Sequence, residues 1–434
     1  MNSKKNEKAV DLKPFNYTYP FGMIKKSIML LTDALCSLRG TVKCFKIFDC
    51  LSVGRVPSHV SVQNWMLQYG LYELSKPIEK RDDWIYILDH TIEFGTQKCL
   101  LILGVTMETL RAGRINLRHQ DVRVLKIEIK NKNNAQSVKD ALSDVIAATG
   151  IPIQIVSDHG SDIKKGIENI CEEYPDIRYS YDITHKCALM LKHHLKDDKR
   201  WKSYVQNYAH TKRKTVHTKF AYLAPPKPKE KARWLNLDLY VNWAERIILY
   251  RENIQIKSEH GDEKNNILRE FDSMFGWVNS YKGNLKNWQS ILNVLQTAKN
   301  EVKNKGLRKN TAEVFQKSIG KLNINSSTAG LIADNLYDFL LHETEAVQKG
   351  EIYLGTSDII ESVFGKYKSF SAKTPIRDIG KTILTIPVFT GELTTEKLSE
   401  AMSSVSMKTV TKWIKDNIGT TLFSKRLQAY QKTT

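Results

Sequence analysis

The sequence of 434 residues lacks the long apolar segments that mark membrane and secreted proteins. No apolar run reaches the roughly 18 residues that a membrane-spanning helix needs. The best stretch, residues 28–38, is interrupted by Thr32, Asp33 and Ser37. The first fifteen residues are polar and contain no signal-peptide core. We therefore expect a cytoplasmic protein that is not secreted and not bound to a membrane, and that is associated with the nucleoid if its source is bacterial.

Cysteine is scarce, and short catalytic motifs are missing. The six cysteines include no C-x-x-C pair, which argues against a zinc ribbon or finger and favours buried, reduced thiols. The sequence has no G-x-S-x-G elbow, so a serine hydrolase is poorly supported. It also has no G-x4-G-K-[ST] loop, which excludes a P-loop nucleotide site.

Positive charge is what the sequence has in excess. Against 47 Asp+Glu stand 66 Lys+Arg, a formal net charge of +19. Residues 186–233 alone hold fourteen Lys/Arg and three acidic residues, so their net charge is 14 − 3 = +11. Such a charge usually indicates an anionic partner, most often nucleic acid. The charge does not tell which nucleic acid this is, but we expect this segment to contact a phosphate backbone through Lys212, Arg213 and Lys214.

The same basic segment also carries aromatic residues, among them Trp201, Tyr204 and Tyr208. Basic residues that alternate with aromatic ones suit a phosphate backbone together with unstacked bases. A solvated helical face is the alternative. The segment ends in the sequence APPKPK at residues 224–229, which predicts a linker because proline interrupts helices.

Residues 1–80 show a helical pattern that predicts a DNA-binding region. Apolar residues recur at spacings of three and four over 24–38, a short helix fits 42–51, and a third helix begins at Ser58 or Ser61 and runs through 74. Helix, glycine-containing turn and helix form the outline of a helix-turn-helix, although any helical hairpin shares it. The helix that begins at Ser58 or Ser61 would be the second helix of this motif. It would present polar side chains to base edges: Ser61, Gln63, Asn64 and Gln68.

Residues 81–200 change to a pattern of strands and then of alternating strands and helices. Three successive strands suggest an antiparallel meander, and the later alternation suggests parallel crossovers. The predicted class is α/β with a mixed sheet, in the chain order of the RNase H-like fold. The predicted strands are 84–88, 98–105, 124–129, 151–156 and 177–183, and the helices between them are 137–149 and 163–173.

The rest of the chain is predicted to be helical and to complete this core. Residues 201–350 form a helical insertion, 351–370 the final helix of the core, and 371–434 a helical C-terminal region. Within the last region, residues 398–418 predict another helix-turn-helix or a small dimerisation element.

Three carboxylates stand where they could carry chemistry. Asp89 and Asp158 each follow a buried strand, where an aspartate is costly to desolvate unless a metal, a cation or N–H groups compensate it. Two such strand ends can converge at one edge of a mixed sheet. Glu361 lies near the start of a later helix, with Lys368 two turns along the same face. The alternative for Glu361 is a capping box with Asp358.

On this strand order, the set Asp89, Asp158 and Glu361 resembles the DDE transposases of insertion sequences, within the RNase H-like superfamily. The matching motifs are LDHT, IVSDHGSD and SDIIESVFGKYK, and the resemblance covers about residues 82–200 and 351–370. Glu361 and Lys368 match the E-x6-K part of a Y-x2-R-x3-E-x6-K signature, whereas its Tyr and Arg fall on Leu354 and Ser357. The 361 − 158 = 203 residues between the last two carboxylates resemble a core split by a helical insertion, as in the hAT group.

The resemblance implies a transposase that cleaves double-stranded DNA at transposon ends and transfers the freed 3′-OH to target DNA. Its catalytic carboxylates, Asp89, Asp158 and Glu361, would hold two Mg²⁺ ions, and Mn²⁺ is expected to substitute for Mg²⁺. Bound to DNA, the chain would form a homodimer or a larger assembly. Polar residues expected to support the site are Asp182 and His185, and further DNA contacts are expected from Lys366 and Lys368.

Two other functions remain open from the sequence. A metal-dependent nuclease of the same fold would use an identical carboxylate site and would only hydrolyse DNA. A catalytically inactive DNA-binding protein would explain the basic segment but would leave the three carboxylates without a role.

Overall fold

A computed structural model describes residues 13–48, 55–94, 97–131, 134–228, 236–257, 261–372 and 379–431. The chain divides into two compact units, one formed by residues 1–180 with 356–434 and the other by residues 181–355. None of the helices in these ranges combines the length and the apolar content that crossing a bilayer requires.

The helices that precede the sheet in the described part of the first unit are α1 (Phe21–Thr32), α2 (Leu38–Phe48) and α3 (His59–Ser75). The Ser58 hydroxyl starts α3 by accepting the backbone N–H of Ser61 at 3.0 Å, as an N-cap does. Residues 49–54, which include Gly54 of the predicted turn of the helix-turn-helix, lie outside the described residues.

The sheet of the first unit has five strands in the order β3-β2-β1-β4-β5. β1 pairs with β2 and β2 with β3 in antiparallel fashion, whereas β1 and β4 are parallel. This mixed sheet confirms the predicted α/β fold class with an RNase H-like core. The strands and the helices between them are β1 (Trp84–Phe94), β2 (Gln97–Thr106), α4 (Met107–Arg111), β3 (Arg123–Lys130), α5 (Ala135–Thr149), β4 (Gln154–Ser157), α6 (Ser161–Glu173) and β5 (Arg178–Tyr181).

One face of this sheet is covered by α5 and α6. Tyr86 and Leu88 of β1 belong to the same buried apolar cluster as Val138 and Leu142 of α5 and Ile167 of α6. Both helices form because apolar residues at spacings of three and four align on one side, and that side packs on the sheet.

The second unit is a helical bundle with its own apolar core. It begins at Tyr181 and ends at Gly355, whereas the helical insertion was predicted over 201–350. Residues 224–228 have no regular structure, in agreement with a linker. Its helices are α7 (Ile183–Leu195), α8 (Lys199–Thr215), α9 (Leu237–Lys257), α10 (Gly261–Phe275), α11 (Lys282–Lys305), α12 (Thr311–Ile319) and α13 (Ser327–Thr344).

The chain then returns to the first unit and ends in four more helices. Two short 3-10 segments, Lys381–Thr385 and Pro387–Phe389, separate the first of these helices from the others. The helices are α14 (Asp358–Ser371), α15 (Thr395–Ser404), α16 (Met407–Asn417) and α17 (Leu422–Gln431).

Helix α3 lies at the centre of the first unit and is surrounded by α1, α2, α15, α16 and both 3-10 segments. Its residues 65–73 are buried without interruption. The Gln68 amide nitrogen donates to the Tyr17 hydroxyl at 2.7 Å and to the Val405 carbonyl at 2.6 Å. The prediction that Gln68 faces base edges is therefore wrong. The Gln68 side chain is buried in the core and makes its hydrogen bonds there.

Candidate functional site

The two predicted aspartates occupy neighbouring positions on adjacent chain segments of the sheet. The prediction that Asp89 follows a strand is wrong, because β1 continues to Phe94 and so contains Asp89, whereas Asp158 does follow β4. In the parallel pair of β1 and β4, Leu88 lies beside Ser157. Asp89 and Asp158 are the next residues of these two chains. Because adjacent strands lie about 4.8 Å apart, the backbones of the two aspartates are neighbours.

Asp89 lies on the face of the sheet opposite to the one that α5 and α6 cover. Leu88 belongs to the apolar cluster on that face, and successive residues of a strand point to opposite faces. Asp89 therefore points to the other face, and both Asp89 and Asp158 are half-buried. Helix α14 packs against β1, and none of its residues belongs to the cluster under α5 and α6.

The turn after β4 fixes Asp158. Its carboxylate accepts the backbone N–H of Gly160 at 2.9 Å, so it is held within the turn and does not cap α6, which begins at Ser161. His159 has a left-handed backbone with φ of 56°. Its ring lies 4.5 Å from the ring of Tyr179. The hydrogen bond and the ring contact therefore hold the turn that contains Asp158 in place.

Tyr179 is a residue of this site that the sequence analysis missed. Its hydroxyl lies 2.8 Å from that of Ser157, directly before Asp158. Burial raises the pKa of the Tyr179 phenol, and the Asp158 carboxylate raises it further. Tyr179 therefore stays neutral beside the acidic pair. Its place in the predicted strand 177–183 was visible in the sequence, but its register against β4 was not.

Glu361 lies in the first turn of α14, where its side chain is exposed. The N-cap is Ser357, which makes no side-chain capping bond, and Asp358 is already the first helical residue. The proposed capping box with Asp358 as N-cap is therefore not formed. The apolar face of α14 includes Val363 and Tyr367, and Lys368 is exposed like Glu361.

His119, which the sequence analysis also missed, holds α14 from the side. Its Nε2 lies 3.1 Å from the hydroxyl of Ser362, the residue after Glu361. Burial, and then the charge of Lys366, lower the pKa of His119, which favours the neutral ring. No local pattern predicts this contact, because it joins residues 243 positions apart.

The donor chemistry of the site suits Mg²⁺, which prefers carboxylate oxygens and is often held by only one or two of them together with water and phosphate. Asp89 and Asp158 can supply such a pair. In the part of the chain that the structure describes, no three or more His, Cys, Asp or Glu side chains come together as a metal cluster. The register thus makes the backbones of Asp89 and Asp158 neighbours, whereas no three-residue cluster that includes Glu361 is found among the described residues.

The predicted supporting residues Asp182 and His185 belong to the second unit. Asp182 is buried and is the N-cap of α7, where its carboxylate accepts the backbone N–H of His185 at 2.9 Å. The sequence alone also allowed a purely structural hydrogen bond between Asp182 and His185, and such a bond is present to the His185 backbone. The capping bond explains why Asp182 follows a strand, and a role of either residue in catalysis stays a prediction.

The aromatic residues of the basic segment are not available for base stacking. Trp201, Tyr204 and Tyr208 are buried in the core of the second unit. The ring centroids of Trp201 and Trp288 lie 5.0 Å apart. The expectation that these aromatic residues stack on unpaired bases is therefore wrong. Their spacing of three and four places them on the inner side of α8.

The basic residues of α8 remain on its outer side. Arg213 and Lys214 are exposed and Lys212 is half-buried. Partial burial, and then the charge of Lys227, lower the pKa of Lys212. The end of α8 therefore presents a group of positive charges that suits a phosphate backbone.

Replacing Lys212, Arg213 and Lys214 together by glutamine is expected to weaken binding to duplex DNA of every sequence. Each lost phosphate contact lowers the slope of log K against log salt by about 0.9, so the slope should fall by up to about 3. Fluorescence anisotropy titrations at several salt concentrations measure it. An unchanged slope would show that these residues do not contact DNA.

The other predicted DNA contacts lie in the first unit. Gln63 and Asn64 are half-buried in the second turn of α3. The Lys366 ammonium lies 6.0 Å from the ring centroid of Phe389, and that of Lys368 lies 5.5 Å from the ring centroid of Phe364. All four contacts with DNA stay predictions.

No protein-family profile matches the chain, and no curated protein matches its sequence. Among solved structures, the chain is similar to the Drosophila P element transposase strand transfer complex, with 14% identity, a TM-score of 0.36 and coverage of 91% of this chain and 94% of that one. It is also similar to the simian T-cell lymphotropic virus intasome in complex with the PP2A regulatory subunit B56 gamma, with 12% identity, a TM-score of 0.17 and coverage of 49% and 68%. With TM-scores this low, the function has to be inferred from the residues of the chain itself.

Proposed function

We propose that the chain is a DDE-type DNA transposase, which cleaves DNA at transposon ends and joins the freed 3′ ends to target DNA. The observation that supports this most is the register of β1 and β4, which makes Asp89 and Asp158 neighbours. Two adjacent carboxylates repel each other and also repel DNA phosphates unless a cation lies between them. The Gly160 N–H holds Asp158 in the turn and Asp158 does not cap α6, so helix capping does not explain its position.

Under this proposal Asp89 and Asp158 hold Mg²⁺, and Glu361 provides a third carboxylate once DNA is bound. Bound in a pair, Mg²⁺ ions supply activation of the attacking oxygen and stabilisation of the leaving one. The Gly160 N–H orients the Asp158 carboxylate. His119 keeps the start of α14 in place through Ser362. Mn²⁺ is expected to replace Mg²⁺.

The partner in this proposal is double-stranded DNA, both as transposon end and as target. The net charge of +19 and the exposed end of α8 favour an anionic polymer. Gln63 and Asn64 are proposed to contact the transposon end, and Lys366 and Lys368 to contact the phosphates near the carboxylates. Because two ends must be joined together, we propose at least a dimer on DNA.

The experiment that tests this function uses the DNA ends that flank the coding sequence of the chain, precut to expose their 3′-OH, and a supercoiled plasmid as target. Joined products are expected with Mg²⁺ or Mn²⁺ and none with EDTA. Cleavage without joining would identify a nuclease instead. DNA binding without either reaction would identify an inactive DNA-binding protein.

A further inference from the structure

The C-terminal region contains a helix pair that the proposed active site does not use. Helices α15 and α16 are separated by only Val405 and Ser406. The Ser406 hydroxyl accepts the backbone N–H of Thr409 at 3.2 Å and so fixes the start of α16. The predicted element at 398–418 is therefore a tight helix–turn–helix.

The first helix of this pair is anchored in the core. Leu398, Ala401 and Met402 of α15 are buried, and α15 packs on α1 and α3. The Val405 carbonyl at the turn accepts the buried Gln68 amide. The turn is thus tied to the central helix α3, which makes α15 a rigid support for α16.

The second helix presents a basic face outward. Val410 is the only buried residue of α16. Lys408, Lys412 and Lys415 follow one another at spacings of four and three, so they form one stripe, which lies on the side opposite Val410. All three lysines are exposed, and no ion pair with another described residue neutralises them. We call these three residues the α16 lysine stripe.

We propose that α16 binds duplex DNA, lying in the major groove with the α16 lysine stripe toward the phosphates. The major groove admits an α-helix, and the second helix of a helix-turn-helix is the one that enters it. Because the α16 lysine stripe is positively charged, the partner that it fits is a polyanion. A second copy of the chain is a poor occupant, because a twofold interface centred on the stripe would bring like charges together.

This inference rests on the proposed function, since it requires a chain that acts on DNA. It adds another DNA contact to the one proposed for Gln63 and Asn64. Residues 65–73 of α3 are buried, so only the first turns of that helix can approach DNA. Helix α16 is buried only at Val410.

The test replaces the α16 lysine stripe by glutamine in the full chain, as Lys408→Gln, Lys412→Gln and Lys415→Gln together. Binding to a random-sequence duplex of about 30 base pairs is measured by anisotropy in EDTA, and the salt slope is expected to fall by about 3. The matched control is Lys282→Gln, Lys286→Gln and Lys317→Gln, which removes the same charge from exposed positions of the second unit. The control should change the slope by less than one.

A slope equal to that of the wild type would overturn the inference. If sedimentation also showed a shift from dimer to monomer, the stripe would be a dimerisation surface instead. Because EDTA removes catalysis from the measurement, the two proposals fail separately. A chain that joins DNA ends with an unaltered slope refutes only the role of α16, whereas a reduced slope without any joining refutes only the transposase activity.

Discussion

Asp158→Asn is expected to reduce Mg²⁺-dependent DNA cleavage by at least about a hundredfold, beyond the 10- to 100-fold that losing a residue behind a metal ligand costs. The amide keeps the size of the side chain and its bond to Gly160, but it removes half of the charge of the aspartate pair. Cleavage of a labelled duplex with the flanking DNA ends measures the effect. Asp89→Asn should behave in the same way.

The matched control for this variant is Asp162→Asn, four residues further along in the first turn of α6. It makes the same chemical change on a carboxylate that the proposal does not use, and cleavage should stay within a few-fold of the wild type. DNA binding of Asp158→Asn in EDTA should be at least as tight as that of the wild type, because a negative charge is removed. Cleavage at the wild-type rate would remove Asp158 from the proposal.

Gly70→Ala should have the largest effect on stability. A Cβ at Gly70, within the buried part of α3, would lie 1.8 Å from the carbonyl oxygen of Leu384. That neighbour is backbone of a buried 3-10 segment and cannot rotate away. Overpacking costs about 1–3 kcal/mol and occasionally more, against about 1 kcal/mol that alanine gains over glycine in a helix. We therefore expect a net loss of up to about 2 kcal/mol in the free energy of unfolding, seen as a lower Tm.

Gly365→Ala provides the control for this prediction. Gly365 also lies inside a helix, α14, but an added Cβ would meet no atom within 4 Å. The helix preference for alanine then acts alone, so this variant should be neutral or more stable by up to about 1 kcal/mol. Equal Tm values for the two variants would show that α3 does not approach the 3-10 segment so closely.

The sheet was largely predictable from the sequence. The five predicted strands overlap the five observed ones, from 84–88 within Trp84–Phe94 to 177–183 around Arg178–Tyr181. Apolar runs and the turn residues that bound them depend on local chemistry, so strands can be recognised without knowledge of the tertiary structure. The sequence predicted that Asp89 and Asp158 are neighbours because it predicted adjacent strands, although only Asp158 stands at a strand end, since β1 continues to Phe94. The position of Glu361 relative to them depends on how α14 packs, which no local pattern contains.

The errors arose where one local pattern fits two environments. Gln68 has the polar chemistry of a DNA contact, but it satisfies the Val405 carbonyl inside the core. Trp201, Tyr204 and Tyr208 stand among lysines, yet their spacing of three and four is that of a buried helical face. The second unit begins at Tyr181, and this boundary is set by packing and not by the composition of the sequence.

The central claim of the proposed function is that Asp89, Asp158 and Glu361 together hold the divalent ions when DNA is bound. Fe²⁺ in place of Mg²⁺, with ascorbate and peroxide, produces hydroxyl radicals that cut the polypeptide beside the metal, and the fragments can be mapped on the DNA complex. We predict cuts near residues 89, 158 and 361, all suppressed by excess Mg²⁺. Cuts near 89 and 158 with none near 361, or no localised cuts at all, would contradict the account.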